Sequence, residues 1–174
     1  MIIEKSDFSN WRMTDSNFAP DVGNVSNAIK HIEIELEVDL PKEYQLFLSL
    51  INDKPIVPND GREYCLARYD HGVRRVHVAV LSSSRKVIER TKLSRESIFD
   101  ERHLLAEGLI VIGSNYDGDA DACIVYDTRP DSPTYLHVFN WRYYVDNLVV
   151  GEGLGLLAHS LKAFLNTPTV ANEL

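Results

Sequence analysis

The first regular pattern along the chain is helical. Four apolar residues recur at intervals of four, three and four, which is the spacing of one helix face: Val25, Ile29, Ile32 and Leu36. A second set continues the pattern: Tyr44, Phe47, Leu48 and Ile51. Leu40-Pro41 separates the two sets, and proline suits the first position of a new helix because its missing amide hydrogen is not needed there. The pattern therefore predicts two helices within residues 24–52.

The pattern changes to alternation after the turn residues 58–61. Residues 62–69 and 73–81 are rich in Tyr, Val and Leu and flank Asp70-His71-Gly72, which predicts a β-hairpin. Alternation predicts that one face of the second strand carries Val73, Arg75, His77, Ala79 and Leu81. Three further runs are typical of strands: 109–113, 122–126 and 134–141.

Two more helices complete the prediction. The polar segment 82–102 contains the apolar residues Val87, Ile88 and Leu93, which indicate a short amphipathic helix. The last apolar stripe predicts a C-terminal helix: Leu156, Leu157, Ser160, Leu161, Phe164 and Leu165. Because the helices lie mostly at the ends and the strands in the middle, we expect an α+β fold with a mainly antiparallel central sheet.

The length of 174 residues is typical of one domain. Residues 1–23 lack periodicity, but they contain Phe8, Trp11 and Phe18, and a disordered tail would rarely carry three aromatic residues. We therefore predict an N-terminal arm over 1–23 that packs on a domain spanning 24–168, followed by a short tail over 169–174. The buried core is predicted to include Leu40, Tyr44, Ile112, Leu157 and Phe164.

Composition and charge narrow the function classes. The two cysteines make no disulfide framework, the N-terminus has no apolar signal region, and no apolar run approaches the length of a membrane span, so we expect a cytoplasmic protein. The net charge is −8, with −6 over residues 1–61, +4 over 62–102 and −6 over 103–174. An acidic total argues against nucleic acid as the main ligand and suits a basic partner, although acidity also serves solubility alone.

Two motifs resemble ligand sites only in part. Asp117-Gly118-Asp119-Ala120-Asp121 has the 1-3-5 carboxylate spacing of a calcium loop, but it lacks the glycine at position 6 and the glutamate at position 12. We expect an acidic turn between strands and no tight calcium binding. Gly151-Glu152-Gly153-Leu154-Gly155 resembles a phosphate-binding loop, but too few residues follow it for a βαβ unit, so we interpret it as a flexible connector.

No catalytic or metal-binding motif is present in the sequence. The six histidines have no ligand spacing, and Cys65 and Cys123 lie in strand-like runs. We therefore expect that the protein is not an enzyme and that it binds neither a cofactor nor a metal ion. An enzyme with a dispersed site, around His71, His77 and Cys65, stays open as an alternative.

Several segments resemble the SUKH superfamily in order. Val25-Ser26-Asn27-Ala28-Ile29-Lys30-His31-Ile32-Glu33 and Leu40-Pro41-Lys42-Glu43-Tyr44-Gln45-Leu46-Phe47-Leu48 are similar to its opening helices, and Gly108 to Asp119 to its central strand and acidic turn. Tyr135 to Trp141 resembles a later strand, and Leu157 to Leu165 the closing helix. The chain differs at Asn52-Asp53-Lys54, where the family usually has Asn-Gly-Gly, and at Leu161, where it usually has phenylalanine.

The resemblance implies a protein-binding function. Members of this superfamily are mostly bacterial immunity proteins that bind and block a toxin, and others are regulatory interaction proteins. We therefore expect direct, non-covalent binding to a cognate toxin, for which a nuclease is the candidate class, with a regulatory scaffold as the alternative and neither nucleic acid nor membrane as partner. A nuclease must be basic around its site, so an inhibitor can present carboxylates in place of phosphates.

Two groups of residues are predicted to contact the partner. The first is the acidic turn with its neighbouring aromatic residue: Tyr116, Asp117, Asp119 and Asp121. The second lies on the first helix, where an apolar residue is predicted among charged ones: Glu33, Ile34 and Glu37. Coverage of Ile34 by the N-terminal arm is the alternative for the second group, and contact through the basic segment 62–102 is the alternative for both.

Overall fold

A computed structural model describes residues 2–13, 25–96 and 103–174. The α-helices are α1 (Val25–Leu36), α2 (Lys42–Ile51), α3 (Ser84–Arg95) and α4 (Leu161–Leu165). The strands are β1 (Trp11–Met13), β2 (Ile56–Pro58), β3 (Tyr64–Tyr69), β4 (Gly72–Leu81), β5 (Leu109–Asp117), β6 (Ala120–Asp127), β7 (Val138–Trp141) and β8 (Leu154–Ala158). Short 3-10 helices span Lys5–Phe8 and Ala171–Glu173.

The sheet closes into a barrel of six strands. The order is β4-β3-β8-β7-β6-β5, and β5 pairs with β4 to complete the circle. All pairings between these strands are antiparallel. Strands β2 and β1 extend the sheet from the end of β4, where Ile56 pairs with Leu81. The α+β prediction is thus confirmed, whereas closure into a barrel was not predicted.

Two adjoining β-bulges bend the sheet where β4 meets β5. The register of β4 against β5 shifts between Val78 and Val80, and the register of β5 against β6 shifts between Val111 and Gly113. A Cβ on Gly113 would lie 2.2 Å from the Val80 carbonyl oxygen, so only glycine permits this approach. Bulges increase twist and bending, which brings the strands round into a barrel.

The bulge also corrects one predicted strand face. Val73 and Arg75 are exposed and His77 is half-buried, but Leu81, which was predicted on the same face, is fully buried like Val76 and Val78. The extra residue near Ala79 reverses the alternation, and a sequence pattern of period two does not show such a reversal.

Helices close one end of the barrel, and the main core lies between them and the inward face of the strands. The predicted core residues are all buried: Leu40, Tyr44, Ile112, Leu157 and Phe164. At this end Tyr126, the second-last residue of β6, packs on Tyr44 with ring centroids 5.5 Å apart, and its hydroxyl donates to Glu43 Oε2 at 2.9 Å. We call this the helical end. A smaller cluster around Val125, Phe139 and Trp141 covers the other face of β5–β8.

The beginning of the predicted arm lies against the domain. Ile3 and Trp11 are buried, and Trp11 Nε1 donates to the Leu165 carbonyl at 2.8 Å. The rest of the arm, with Phe18, lies outside the described residues. The division into arm, domain and tail stays a prediction.

Two predicted elements are shorter than expected. Leu156 and Leu157 belong to strand β8, so the last helix begins only at Leu161, with Ser160 Oγ accepting the Ala163 amide at 3.0 Å. The segment Leu154–Ala158 is apolar throughout, and such a run does not distinguish a helix from a buried strand. The run 134–141 is a strand only from Val138, because its first residues belong to a turn organised by Asp127.

Asp53 stands where the resembled family usually has glycine, and the structure gives it a role. Asn52 and Asp53 both have positive φ, 57° and 54°, which glycine tolerates best. The Asp53 carboxylate accepts the Ser84 amide at 2.7 Å and the Ser84 hydroxyl at 2.6 Å. These bonds hold the first turn of α3, so the carboxylate offsets the backbone cost of the left-handed conformation.

The predicted amphipathic helix within 82–102 corresponds to α3, and residues 97–102 lie outside the described ranges. None of the helices in the described ranges is long and apolar enough to cross a bilayer.

Candidate functional site

Three strand connections meet at the end of the barrel opposite α2 and α4. They are the β3–β4 turn at Asp70-His71, the β5–β6 turn at Gly118-Asp119 and the longer β7–β8 connection over 142–153. The antiparallel register places them together, because Tyr69 pairs with Gly72, Asp117 with Ala120 and Trp141 with Leu154. We call this surface the turn end.

A buried polar network closes the barrel beneath the turn end. Asn140 Nδ2 donates to the Tyr69 hydroxyl at 3.0 Å, and Asn115 Nδ2 donates to Asn140 Oδ1 at 3.0 Å. These side chains come from β3, β5 and β7, which are not neighbours, so they meet inside the barrel. Gly155 of β8 makes room, since a Cβ there would lie 2.2 Å from the Tyr69 ring.

Ion pairs join the three connections. Arg74, which follows the β3–β4 turn, places its Nη2 3.2 Å from Asp117 Oδ2, and its guanidinium lies 4.1 Å from the centre of the Tyr69 ring. Asn140 Nδ2 donates to the same Asp117 oxygen at 3.1 Å. The Asp117 side chain is only 8% exposed, so its charge pairs with Arg74 inside the molecule and is not presented to solvent.

A second arginine fixes the β7–β8 connection. Arg142 donates to Asp146 through Nε at 2.8 Å and through Nη2 at 2.9 Å, and the hydrogen bonds to Asp146 raise the pKa of the Arg142 guanidinium. Asp146 Oδ2 also lies 3.9 Å from Arg74 Nη2. Bidentate arginine–carboxylate pairs set geometry as well as energy, so the turn end is held in one arrangement.

The glycine run is tightly packed, which corrects its interpretation as a flexible connector. A Cβ on Gly153 would lie 1.8 Å from the Asn147 carbonyl oxygen, and one on Gly151, where φ is 87°, would lie 2.3 Å from Asp70 Oδ1. Asn147 Oδ1 accepts the amides of Val149 and Gly153 at 3.0 and 3.1 Å. The run therefore forms an ordered turn that leads into β8, not into the last helix.

The outer surface of the turn end combines apolar and acidic side chains. Val145 is 68% exposed, Val149 51% and Tyr116 46%. The same connections and the strand ends that they join also carry exposed acidic residues: Asp70, Asp119, Asp121 and Glu152. A recess of about 460 Å³ lies between the β3–β4 turn and the β7–β8 connection, lined by Asp70, His71, Val145, Asp146, Asn147 and Glu152 among others.

An aromatic row continues this surface along the outside of the barrel. The Tyr64 and His77 rings lie 5.3 Å apart, and the His77 and Tyr116 rings 5.8 Å apart. The Arg75 guanidinium lies 5.2 Å from the centre of the Tyr64 ring. Because the three rings stand on adjacent strands of a closed sheet, they form one preorganised strip.

The structure separates the residues of the predicted acidic turn. Tyr116, Asp119 and Asp121 are exposed, whereas Asp117 points inward to Arg74. The three aspartates are therefore not a common ligand set, and among the residues that the structure describes no three Asp, Glu, His or Cys side chains form a group that could hold a metal ion.

The second predicted group lies on α1, which packs on α2 and α3. Ile34 is 74% exposed and Glu37 is also exposed. Glu33 is partly used by the fold, since its Oε1 accepts the Leu40 amide at 3.1 Å. Trp11 does not cover Ile34, because it packs against Phe164, with ring centroids 6.0 Å apart.

The residues suggested for a dispersed enzyme site do not converge. Cys65 is 1% exposed on the inward face of β3, and burial raises the pKa of its thiol to about 12. His77 lies on the outward face of β4, between Tyr64 and Tyr116. A buried, protonated thiol and an outward imidazole do not make a nucleophile–base pair.

Sequence reasoning missed the residues that the β7–β8 connection adds to this surface: Val145, Val149 and Glu152. Another four residues were included as contacts only within the alternative contact segment 62–102: Tyr64, Asp70, His71 and Arg75. The strand order along the chain could have predicted that the three turns lie together. In an antiparallel meander every second connection lies at the same end of the sheet, here β3–β4, β5–β6 and β7–β8. No local signal showed that β3 and β7 flank β8 and that their side chains meet inside the barrel.

Comparison with known proteins gives one match. The sequence model of the SMI1/KNR4 family (SUKH-1) matches residues 25–167, which covers the four helices and all strands after β1. No curated protein and no solved structure matches the chain.

Proposed function

Because the chain belongs to the SMI1/KNR4 family (SUKH-1), we propose that it is an immunity protein that binds and neutralises a cognate toxin domain. Binding is direct and non-covalent, and the turn end is the contact surface. The observation that carries this assignment is the combination found there: exposed Tyr116, Val145 and Val149 on a rigid end of the barrel, with acidic residues around them.

The composition of the turn end suits a protein interface. Binding energy concentrates in a few aromatic or aliphatic anchors that are surrounded by polar groups excluding water. Tyr116 serves as such an anchor, because its ring is backed by His77 and its strand is fixed by Asp117. A preordered surface loses little conformational entropy on binding, which favours high affinity.

The charge of the turn end favours a basic partner. Asp70, Asp119, Asp121 and Glu152 are exposed there, and the arginines beneath them are neutralised by Asp117 and Asp146. A toxin that cleaves nucleic acid carries a basic active-site surface. Carboxylates that face this basic surface accelerate the encounter of the two proteins and exclude the nucleic-acid substrate from the toxin's active site.

We assign Asp117 a supporting role in this contact. Its carboxylate is 8% exposed and bound by Arg74 and Asn140, so it orients the β5–β6 turn that presents Asp119 and Tyr116. A charge reversal at Asp117 would disturb the fold as well as the surface. It is therefore unsuitable for testing the contact.

The test is co-expression with the toxin domain encoded by the neighbouring gene, followed by affinity measurement on the purified pair. The intact protein should restore growth, and Asp119→Lys with Asp121→Lys should weaken the complex at least about tenfold, which is about 1.4 kcal/mol. The loss should grow as salt is lowered, because exposed charges are screened by salt.

The matched control is Asp39→Lys with Asp131→Lys. Both residues are exposed and lie outside the turn end, so this variant makes the same change in net charge. It should lose less than about threefold in affinity, since only long-range attraction is altered. Equal losses in the two variants would remove the turn end from the contact. Absence of any complex with the wild-type chain would contradict the immunity function.

A second candidate, a regulatory scaffold, is favoured by α1. Ile34 is 74% exposed beside the exposed Glu37, a separate surface that a second protein can occupy. Under this function Ile34→Asp should abolish binding of a non-toxin partner. A toxin bound at the turn end would still be neutralised, so growth rescue would be unchanged. Loss of rescue would instead place the toxin on α1.

A further inference from the structure

Two histidines face each other at the helical end of the barrel. His137 Nε2 and His159 Nδ1 are 3.3 Å apart, and the rings meet edge to face with centroids 4.8 Å apart. His137 directly precedes β7 and His159 directly follows β8, next to the pair of Val138 and Ala158. Two rigid strands therefore set the separation of the side chains.

The spacing of the two nitrogens matches a metal chelate. With metal–nitrogen bonds of about 2.0–2.1 Å in a tetrahedral site, two ligand nitrogens lie about 3.3–3.4 Å apart. The same separation lets one imidazole donate a hydrogen bond to the other in the metal-free protein. A bound metal ion would replace that proton, with the rings rotated so that both lone pairs face the ion.

We propose that His137 and His159 bind one divalent transition-metal ion, with water completing its coordination. Copper and nickel are preferred to manganese at an imidazole site, and zinc also binds. His159 is exposed, so an ion has direct access from solvent. This site lies apart from the turn end and does not depend on the proposed immunity function.

The proposed ligand set is the two imidazole nitrogens plus solvent. Imidazole binds metal ions through a neutral ring nitrogen. No third ligand group joins the pair among the described residues, so we expect micromolar rather than nanomolar affinity.

The experiment titrates the full, untagged chain with Ni²⁺ and, separately, with Zn²⁺ by calorimetry at neutral pH. We expect one equivalent to bind to the wild type and affinity to fall at least about tenfold in His137→Ala and in His159→Ala. The matched control is His103→Ala, which removes an exposed histidine elsewhere and should leave the affinity within about twofold.

Thermal unfolding supplies a second readout on the same variants. Ni²⁺ should raise the melting temperature of the wild type and of His103→Ala, because a ligand that binds only the folded state stabilises it. Ni²⁺ should not raise the melting temperature of His137→Ala or His159→Ala. A cooperative melting transition without metal shows that these two variants fold. Binding that is unchanged in both variants, or absent from the wild type, would overturn the proposal.

Discussion

At the scale of single residues, Glu43 connects three parts of the fold. It lies in the first turn of α2 and is 8% exposed. Its Oε2 accepts the Tyr126 hydroxyl at 2.9 Å and the Leu161 amide at 3.1 Å, and its Oε1 accepts the Lys162 amide at 3.0 Å. One carboxylate thus joins α2 to β6 and holds the start of the short α4.

Glu43→Ala should lower the free energy of unfolding by about 3 kcal/mol, because it leaves a buried hydroxyl and two buried amides without their acceptor. Glu43→Gln should lose less, since the amide oxygen still accepts. The measurement is urea unfolding. Glu89→Ala is the matched control: it removes an exposed carboxylate paired with Lys86 and should cost below about 0.5 kcal/mol. A loss no larger at Glu43 than at Glu89 would contradict this role.

The sequence predicted the apolar core residues but not Glu43. Helical spacing places Tyr44 and Phe164 on apolar faces, and the structure buries both. Nothing local marks Glu43, because its donors come from β6 and α4, far along the chain. Asp117 was predicted as an exposed contact residue, but its inward ion pair was not, because its partner Arg74 lies on another hairpin.

At the scale of elements, Asp127 organises the connection between β6 and β7. The carboxylate is fully buried and accepts from Arg129, Ser132 and Thr134 at 2.7–2.9 Å. Burial alone would raise the pKa of Asp127, but the hydrogen bonds from Arg129, Thr134 and Ser132 bring it below its ordinary value of 3.8. The folded state therefore releases this proton more readily than the unfolded state.

This shift predicts the acid dependence of stability. With the folded pKa below the unfolded one, the contribution of Asp127 is fully present above about pH 5 and is lost as pH falls through the folded pKa. Asp127→Asn should lower stability at pH 7 and make the decline between pH 5 and pH 3 shallower than in the wild type. Urea unfolding over that range measures the slopes, and parallel slopes would refute the assignment.

The elements that sequence patterns misplaced are those whose environment is non-local. Strands β3 to β6 were predicted, because alternating or strand-like apolar runs bounded by turn residues mark them. The second half of β8 was predicted as helix, because a short apolar run does not distinguish a helix from a strand buried between two others, here β3 and β7. The bulges around Gly113 and Ala79, which help close the barrel, have no sequence signal except the glycine itself.

At the scale of the whole molecule, the two ends of the barrel differ in construction. The helical end is packed with large apolar side chains and carries the buried Glu43 contacts. The turn end is closed by polar groups and ion pairs and presents Tyr116, Val145 and exposed acids to solvent. Under the proposed function, the helical end supplies stability and the turn end supplies the contact surface.

Of the two predicted groups of contact residues, only the acidic turn lies at the turn end; the other lies on α1. The acidic turn was predicted because Asp and Gly supply turn geometry there, and the structure places it at the turn end. The β3–β4 turn and the β7–β8 connection join it through Arg74 and Arg142, and only the closed barrel brings these together. The sequence alone therefore could not predict that the three connections of the turn end form one surface.

Hydrogen exchange on the complex with the neighbouring toxin domain tests the central claim most directly. The account predicts that binding protects amides in segments 70–72, 116–121 and 144–152, and leaves the exposed face of α1 around Ile34 unchanged. Protection confined to α1, with the three connections of the turn end exchanging as in the free protein, would contradict it.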